Sequence, residues 1–313
     1  RLYSSPRKKE LAENCHPFAV EIKDFTKPVD IPAVDVPAGY TTLFVFPYSV
    51  GFQFSGFKNL AALNEAITKR LKNLGVTTLL FMRHLELIEY EIKIPGKEAS
   101  GEYLLDAEPI NDHCTRVSAI ESEDDKTDES LSFIKFSMPI DSRVSTRTID
   151  VAFTVATGKE GKTTFQKAKN PYISVYFPTE TESKLDFIVQ GPFRTTPNRS
   201  SVPADEEENE ALAEQTAKLL RQSVLELRDM GLLDLSLIRI LPLDEDDFDV
   251  YPLFYPLYEE MRDLFSSERV LPVKDGKGYT KAANAVIARS REIAELLPSE
   301  LISELINDKR HYE

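Results

Sequence analysis

The sequence predicts a mixed α/β (α+β) chain laid out in three stretches: α/β first, then strand-rich, then helical. Three observations carry this reading. Leu60, Leu63, Ile67, Leu71 and Leu74 recur at helical spacing. From about Leu85 to Gln190 the apolar period switches to two, the period of a pleated strand. After Pro203 the composition turns acidic and leucine-rich, with Leu212, Leu219, Leu220, Leu227 and Met230 marking a further helix.

Taken in order, Phe18–Phe25 alternates as a strand, with Phe18, Val20 and Ile22 on one face and Glu21 and Lys23 on the other. A connector studded with Pro28, Pro32 and Pro37 follows, too poor in backbone donors for a helix. Tyr40–Pro47 reads as a buried strand, and Asn59–Leu74 as an amphipathic helix stopped by Gly75. Strands are expected at His84–Ile94, Glu102–Leu105, Thr115–Ile120, Leu131–Phe136, Thr148–Val155, Ile173–Phe177 and Leu185–Val189. Glu121–Lys126 reads as an acidic hairpin loop in solvent. Asp205–Asn209 opens the long helix with acidic residues at the positive end of its dipole, and Gly231 ends it. Shorter helices are expected near Leu257–Phe265, Ser290–Leu297 and Ser299–Ile306.

With 313 residues the chain has room for two or three domains. Its 38 basic and 52 acidic side chains leave a formal charge of −14, which repels nucleic acid and anionic membrane surfaces. No apolar stretch approaches the roughly 18 residues of a membrane helix. Cys15 and Cys114 cannot build a disulfide framework, which fits a cytoplasmic location. The run Arg1–Glu10 carries neither an initiator Met nor an apolar signal core, so a segment of a longer chain is expected.

Several motifs resemble sites. Ala156–Thr163 fits a permissive phosphate-loop pattern, with Lys162 on phosphate and Thr163 on magnesium. That chemistry needs a helix directly after the loop, and Thr164–Pro171 has no helical periodicity, so a hairpin turn fits better. Gly51 and Gly56 flank an aromatic stretch without any GxG and read as a loop. Cys15-His16 and His113-Cys114 are adjacent pairs, whereas zinc ligands are commonly two to four residues apart. His84 reads as a half-buried residue of an apolar run. Asp244–Asp247 with Asp249 lacks the central Gly and closing Glu of a calcium loop. The stretch Gly191–Ser200 is the most unusual: Arg194 and Arg199 sit in a loop stiffened by Pro192 and Pro197. A forked guanidinium suits phosphate oxygens. Pairing with Asp205, Glu206 or Glu207 accounts for either arginine equally well.

Tyr176-Phe177-Pro178-Thr179-Glu180, with Phe187-Ile188-Val189-Gln190-Gly191-Pro192-Phe193-Arg194-Thr195-Thr196-Pro197-Asn198-Arg199, resembles a segment of large prokaryotic proteins with a sacsin-type ATPase domain. These belong to the GHKL superfamily, with the ninety-kilodalton heat-shock chaperones. Thr78-Leu79-Leu80-Phe81-Met82-Arg83-His84-Leu85 and Tyr40–Pro47 resemble further phrases of that group. The resemblance implies three parts. Residues 1–95 would be the end of a Bergerat-type ATP-binding lobe, 96–203 a strand-rich middle domain, and 204–313 the helical part of the middle region. It also implies ATP and Mg in the intact parent, none bound by this segment alone, and the main nucleotide motifs in a missing N-terminal half. A middle-domain Arg of that family contacts the ATP γ-phosphate; its match here is Arg199, with Arg194 second. The chaperone flanking residues are not kept. A homodimer of the parent is implied by analogy.

On this reading the segment supplies an arginine to a chaperone-like ATPase and couples nucleotide state to movement. The alternative is a protein- or client-binding module with no catalytic role, for which exposed aromatics at Tyr251–Tyr258 would form the surface. A self-contained phosphate-loop enzyme using Lys162 ranks last.

Overall fold

A computed structural model describes residues 59–82, 84–123, 126–141, 144–158, 161–273, 278–286 and 311–312. The strands expected at 18–25 and 40–47, the loop at 51–56, the Cys15-His16 pair and the helices expected at 290–297 and 299–306 lie outside the described residues. The chain divides into two compact units, Arg1–Leu74 with Ile92–Glu98, and Gly75–Glu91 with Ala99–Glu313.

In the first unit, helix α1 (Leu60–Lys72) starts where Asn59 Oδ1 accepts a hydrogen bond from the Ala62 N–H at 2.9 Å. It ends on Lys69, Arg70 and Lys72, cations at the negative end of the dipole. Asn73 Nδ2 then donates to the Lys69 carbonyl at 2.8 Å, so the helix stops before the expected Gly75.

The sheet is mixed and mostly antiparallel, with nine strands: β1 (Leu87–Ile94), β2 (Lys97–Pro109), β3 (Cys114–Glu123), β4 (Lys126–Asp141), β5 (Val144–Thr157), β6 (Thr163–Gln166), β7 (Tyr172–Val175), β8 (Phe177–Glu182) and β9 (Ile188–Gln190). Their order is β1-β2-β3-β4-β5-β9-β7-β8, with β6 beside β5. The first five form a meander, because each expected period-two run is followed by a short turn. β7 and β9 pair in parallel, with Ser174 opposite Gln190. The hairpin between β3 and β4 falls within the expected acidic run, but the ladder reaches further into it, with Glu121 opposite Glu129 and Glu123 opposite Lys126.

One face of the sheet packs on helices. Alternate residues Ile149, Val151, Phe153 and Val155 of β5 share a core with Ile134 and Phe136 of β4, as the pleat requires. Phe153 is its centre, with ring centroids of Phe136, Phe165 and Phe187 at 6.2, 6.0 and 5.2 Å. Helix α2 (Glu207–Asp229) joins the same core through Leu212, Leu219, Leu220 and Leu227. Its end is a Schellman turn. Gly231 takes φ 72°, its N–H donates to the Arg228 carbonyl, and the Leu232 N–H donates to the Leu227 carbonyl. Helix α3 (Leu235–Ile238) and helix α4 (Tyr255–Ser267) follow. Arg221 ties α2 to α4, donating to Glu260 and Asp263 at 2.8 Å each and to Ser267 Oγ at 3.2 Å. On the opposite face the 3-10 turn Val76–Leu79 packs on β3 and β4, and Lys135 Nζ donates to the Leu80 carbonyl at 3.2 Å.

Candidate functional site

The residues singled out at Gly191–Ser200 form a loop that leaves β9, runs beside β8 and leads to α2. Its entrance is steric. The Gly191 N–H donates to the Ser174 carbonyl, and a Cβ on Gly191 would lie 2.8 Å from the Phe193 ring. Phe193 is buried, edge-on to Phe254 with centroids 5.9 Å apart. The base is closed by one amide. Asn209, wholly buried in the first turn of α2, accepts from the Arg194 N–H at 2.7 Å through Oδ1. Its Nδ2 donates to the carbonyls of Arg194 at 3.1 Å and Pro203 at 2.8 Å. Both ends of the loop are thereby fastened to one side chain, which satisfies backbone groups that no strand or helix pairs.

The tip is a tight turn. The Arg199 N–H donates to the Thr196 carbonyl at 2.8 Å, and Arg199 takes the left-handed φ of 60°. Asn198 Oδ1 accepts from Thr196 Oγ1 at 2.7 Å, from Ser200 Oγ at 2.9 Å and from the Ser200 N–H at 3.3 Å. Thr196 and Ser201 close the waist: the Thr196 N–H donates to the Ser201 carbonyl, and the Ser201 N–H donates to Thr196 Oγ1. The loop is moored to β8 by Glu180 N–H on the Ser200 carbonyl and by Val202 N–H on Thr181 Oγ1.

The two candidate arginines have different settings. Arg194 donates through Nε and Nη2 to both carboxylate oxygens of Glu208, at 2.6 and 2.7 Å. That fork draws the Glu208 carboxyl below its ordinary range. Both side chains are solvent-exposed, so the pair orients more than it stabilises. The acid is Glu208, one residue beyond the three considered from sequence. Arg199, in contrast, places Nη2 on the Val175 carbonyl at 3.1 Å, and among the described residues it has no carboxylate partner. Val175 precedes Tyr176, itself at φ 65°. Of the two, Arg199 presents the guanidinium without a carboxylate partner among the described residues, whereas Arg194 is already forked onto one.

Other candidates resolve into structural roles. Ala156–Thr163 joins the antiparallel pair β5 and β6, and Thr163–Gln166 is a strand where phosphate-loop chemistry requires a helix. Lys162 Nζ lies 3.4 Å from Asp234, and Asp234 caps α3. The β6 edge is covered by Ser236 Oγ, which accepts from the Phe165 N–H at 2.9 Å. His84 is exposed rather than half-buried, because the strand begins at Leu87 and leaves it in the preceding turn. Cys114 is wholly buried under α2, and burial together with the nearby charge of Glu226 pushes its thiol up to about 12. Among the described residues no three His, Cys, Asp or Glu side chains gather into a metal-holding group. Asp246–Phe248 forms a 3-10 turn whose Phe248 is buried against Tyr255.

The aromatic run proposed as a client surface is partly core. Leu253, Phe254 and Leu257 are buried, and the Tyr251 hydroxyl donates to the Val202 carbonyl at 2.8 Å. The helix start at Pro252 turns Leu253, Phe254 and Leu257 inward, while Tyr255 and Tyr258 pack against the core and stay partly exposed. Sequence reasoning missed Asn209, Asn198 and Thr196. Only the second and third carry a local signal, polar residues alternating through Thr196, Asn198 and Ser200 around a proline. No helix among the described residues is long and apolar enough to cross a membrane. No protein-family model, curated protein or solved structure matches the chain.

Proposed function

We propose that the chain is the middle segment of a cytosolic, chaperone-like ATPase of sacsin type, in which Arg199 reaches the γ-phosphate of ATP held by a separate N-terminal lobe. The observation that carries this reading is the setting of Arg199: a turn hydrogen-bonded at base, waist and tip, with a guanidinium that has no carboxylate partner among the described residues. The motif resemblance of Gln190–Arg199 supports the same residue. Arg194 becomes a structural residue, engaged by Glu208, that holds the loop to α2.

ATP with Mg supplies the phosphoryl group when bound to the lobe. The residues of this chain contribute positioning and charge. A guanidinium brought in by docking stabilises negative charge that grows during transfer, so its effect falls on turnover more than on affinity. Because the loop is fastened to α2 through Asn209, docking at Arg199 is mechanically continuous with the helical part, and nucleotide state is thereby coupled to movement. A homodimer of the parent and a protein client belong to the same reading.

The test is Arg199→Ala in the intact protein. Turnover should fall by about 100-fold or more with the affinity for Mg-ATP unchanged. Unchanged turnover would make Arg199 a structural residue. In parallel, calorimetric titration of Mg-ATP into residues 1–313 alone should give no heat. Binding that disappears in Lys162→Ala would move the site to the 156–163 hairpin.

A further inference from the structure

Among the described residues Arg199 is one of four non-glycine residues with positive φ, the others being Asn170, Tyr176 and Lys184. A left-handed conformation costs a residue with a Cβ roughly 1 kcal/mol, so something must hold it. Neither side of the loop supplies that hold by burial: Pro197, Asn198 and Arg199 are all exposed. What holds the turn is polar. Asn198 Oδ1 gathers three donors, Thr196 Oγ1, Ser200 Oγ and the Ser200 N–H, at 2.7, 2.9 and 3.3 Å. Thr196 Oγ1 in turn accepts from the Ser201 N–H at 3.1 Å, and the Thr196 carbonyl accepts from the Arg199 N–H. Thr196 therefore contacts both flanks of Arg199, and Asn198 locks Thr196 to Ser200.

We propose that Asn198 and Thr196 are positioning residues for Arg199: their side-chain clasp keeps the 196–201 turn in the one conformation that presents the guanidinium. This rests on the assignment of Arg199 to the γ-phosphate. Without Asn198 Oδ1 the turn loses three hydrogen bonds at its tip and samples other conformations. Catalysis then falls in proportion to the lost population of the held conformation. Nothing in the clasp is part of the hydrophobic core, so its removal leaves the fold intact.

The experiment uses the full-length protein with Mg-ATP. Asn198→Ala and Thr196→Val should each lower kcat about tenfold with KM unchanged, whereas Thr196→Ser, which keeps the hydroxyl, should retain wild-type turnover. In an Arg199→Ala background, Asn198→Ala should lower kcat no further. Amide exchange measured by mass spectrometry should quicken in the 195–202 segment of Asn198→Ala and nowhere else. If Arg199→Ala lowers kcat and Asn198→Ala does not, the clasp is overturned and the assignment of Arg199 stands. A further loss in the double variant would also overturn it, since Asn198 would then act by another route. If Arg199→Ala has no effect on kcat, both ideas fall. Unchanged exchange in Asn198→Ala would remove the clasp on structural grounds alone.

Discussion

Gly191 sits where the chain passes from sheet to loop, and a methyl group there meets the Phe193 ring rather than solvent. Phe193 cannot yield easily, since it is buried against Phe254. Gly191→Ala should therefore destabilise by roughly 1–3 kcal/mol through overpacking, seen as a lower urea midpoint at unchanged slope. A second residue-scale prediction concerns Cys114. Burial first and the Glu226 charge second raise its thiol from 9.0 to about 12. The unfolded chain loses this proton near its ordinary value, while the folded chain keeps it. Between about pH 9 and 12 the folded state binds more protons, so stability falls as pH rises and is complete below that window. Burial also raises the Tyr251 hydroxyl, which adds to the same slope. Cys114→Ala should flatten part of the alkaline decline in unfolding free energy, and native Cys114 should resist iodoacetamide at pH 8 while reacting in urea. A slope identical to wild type would show that the thiol ionises equally in both states.

At the scale of elements, Asn209 is the joint between loop and helix. Replacing it with Ala strands the Arg194 N–H and two carbonyls, so Asn209→Ala should cost about 2–4 kcal/mol and expose 194–203 to proteolysis. Asn209→Asp keeps one acceptor and loses both donors, and it should fall in the same range; wild-type stability in both would mean that water replaces the amide. The helix that Asn209 begins was legible in sequence, because Leu212, Leu219, Leu220 and Leu227 keep one face and Gly231 supplies the positive φ of its end. The joint itself was not legible, since an Asn in an acidic run looks like a solvent-facing residue. β8 was missed for a related reason, and β6 was expected only as a strand-like run after the hairpin turn, without bounds. Thr163–Gln166 has one buried apolar residue, Phe165, and Phe177–Glu182 has Pro178 and two acids, so neither shows an apolar period. β4 and β5 outrun their expected cores because backbone pairing, which has no sequence signature, carries the polar ends. Leu185 and Phe187 show the opposite error: both are buried, yet only Ile188–Gln190 pairs as strand.

Across the second unit, strand-rich and helical stretches draw on a single body of apolar side chains. Phe153 and Val151 of the sheet belong to the same buried cluster as Leu220, Leu227, Leu257 and Met261 of the helices. The break in composition at Pro203 is thus a change of secondary structure within one core, which composition alone cannot distinguish from a domain boundary. One core implies one cooperative transition. Phe153→Ala removes the ring that three other phenylalanines surround and should cost roughly 3–5 kcal/mol. If sheet and helices unfold together, amide exchange should accelerate by the same factor, about 100-fold or more, in β5 and in α2. Leu220→Ala, made from the helical side, should accelerate both elements equally in turn. Acceleration confined to β5 in the first variant and to α2 in the second would show two independently stable halves. It would also weaken the coupling from Arg199 to the helices, since a loop can transmit force only between elements that hold together under load.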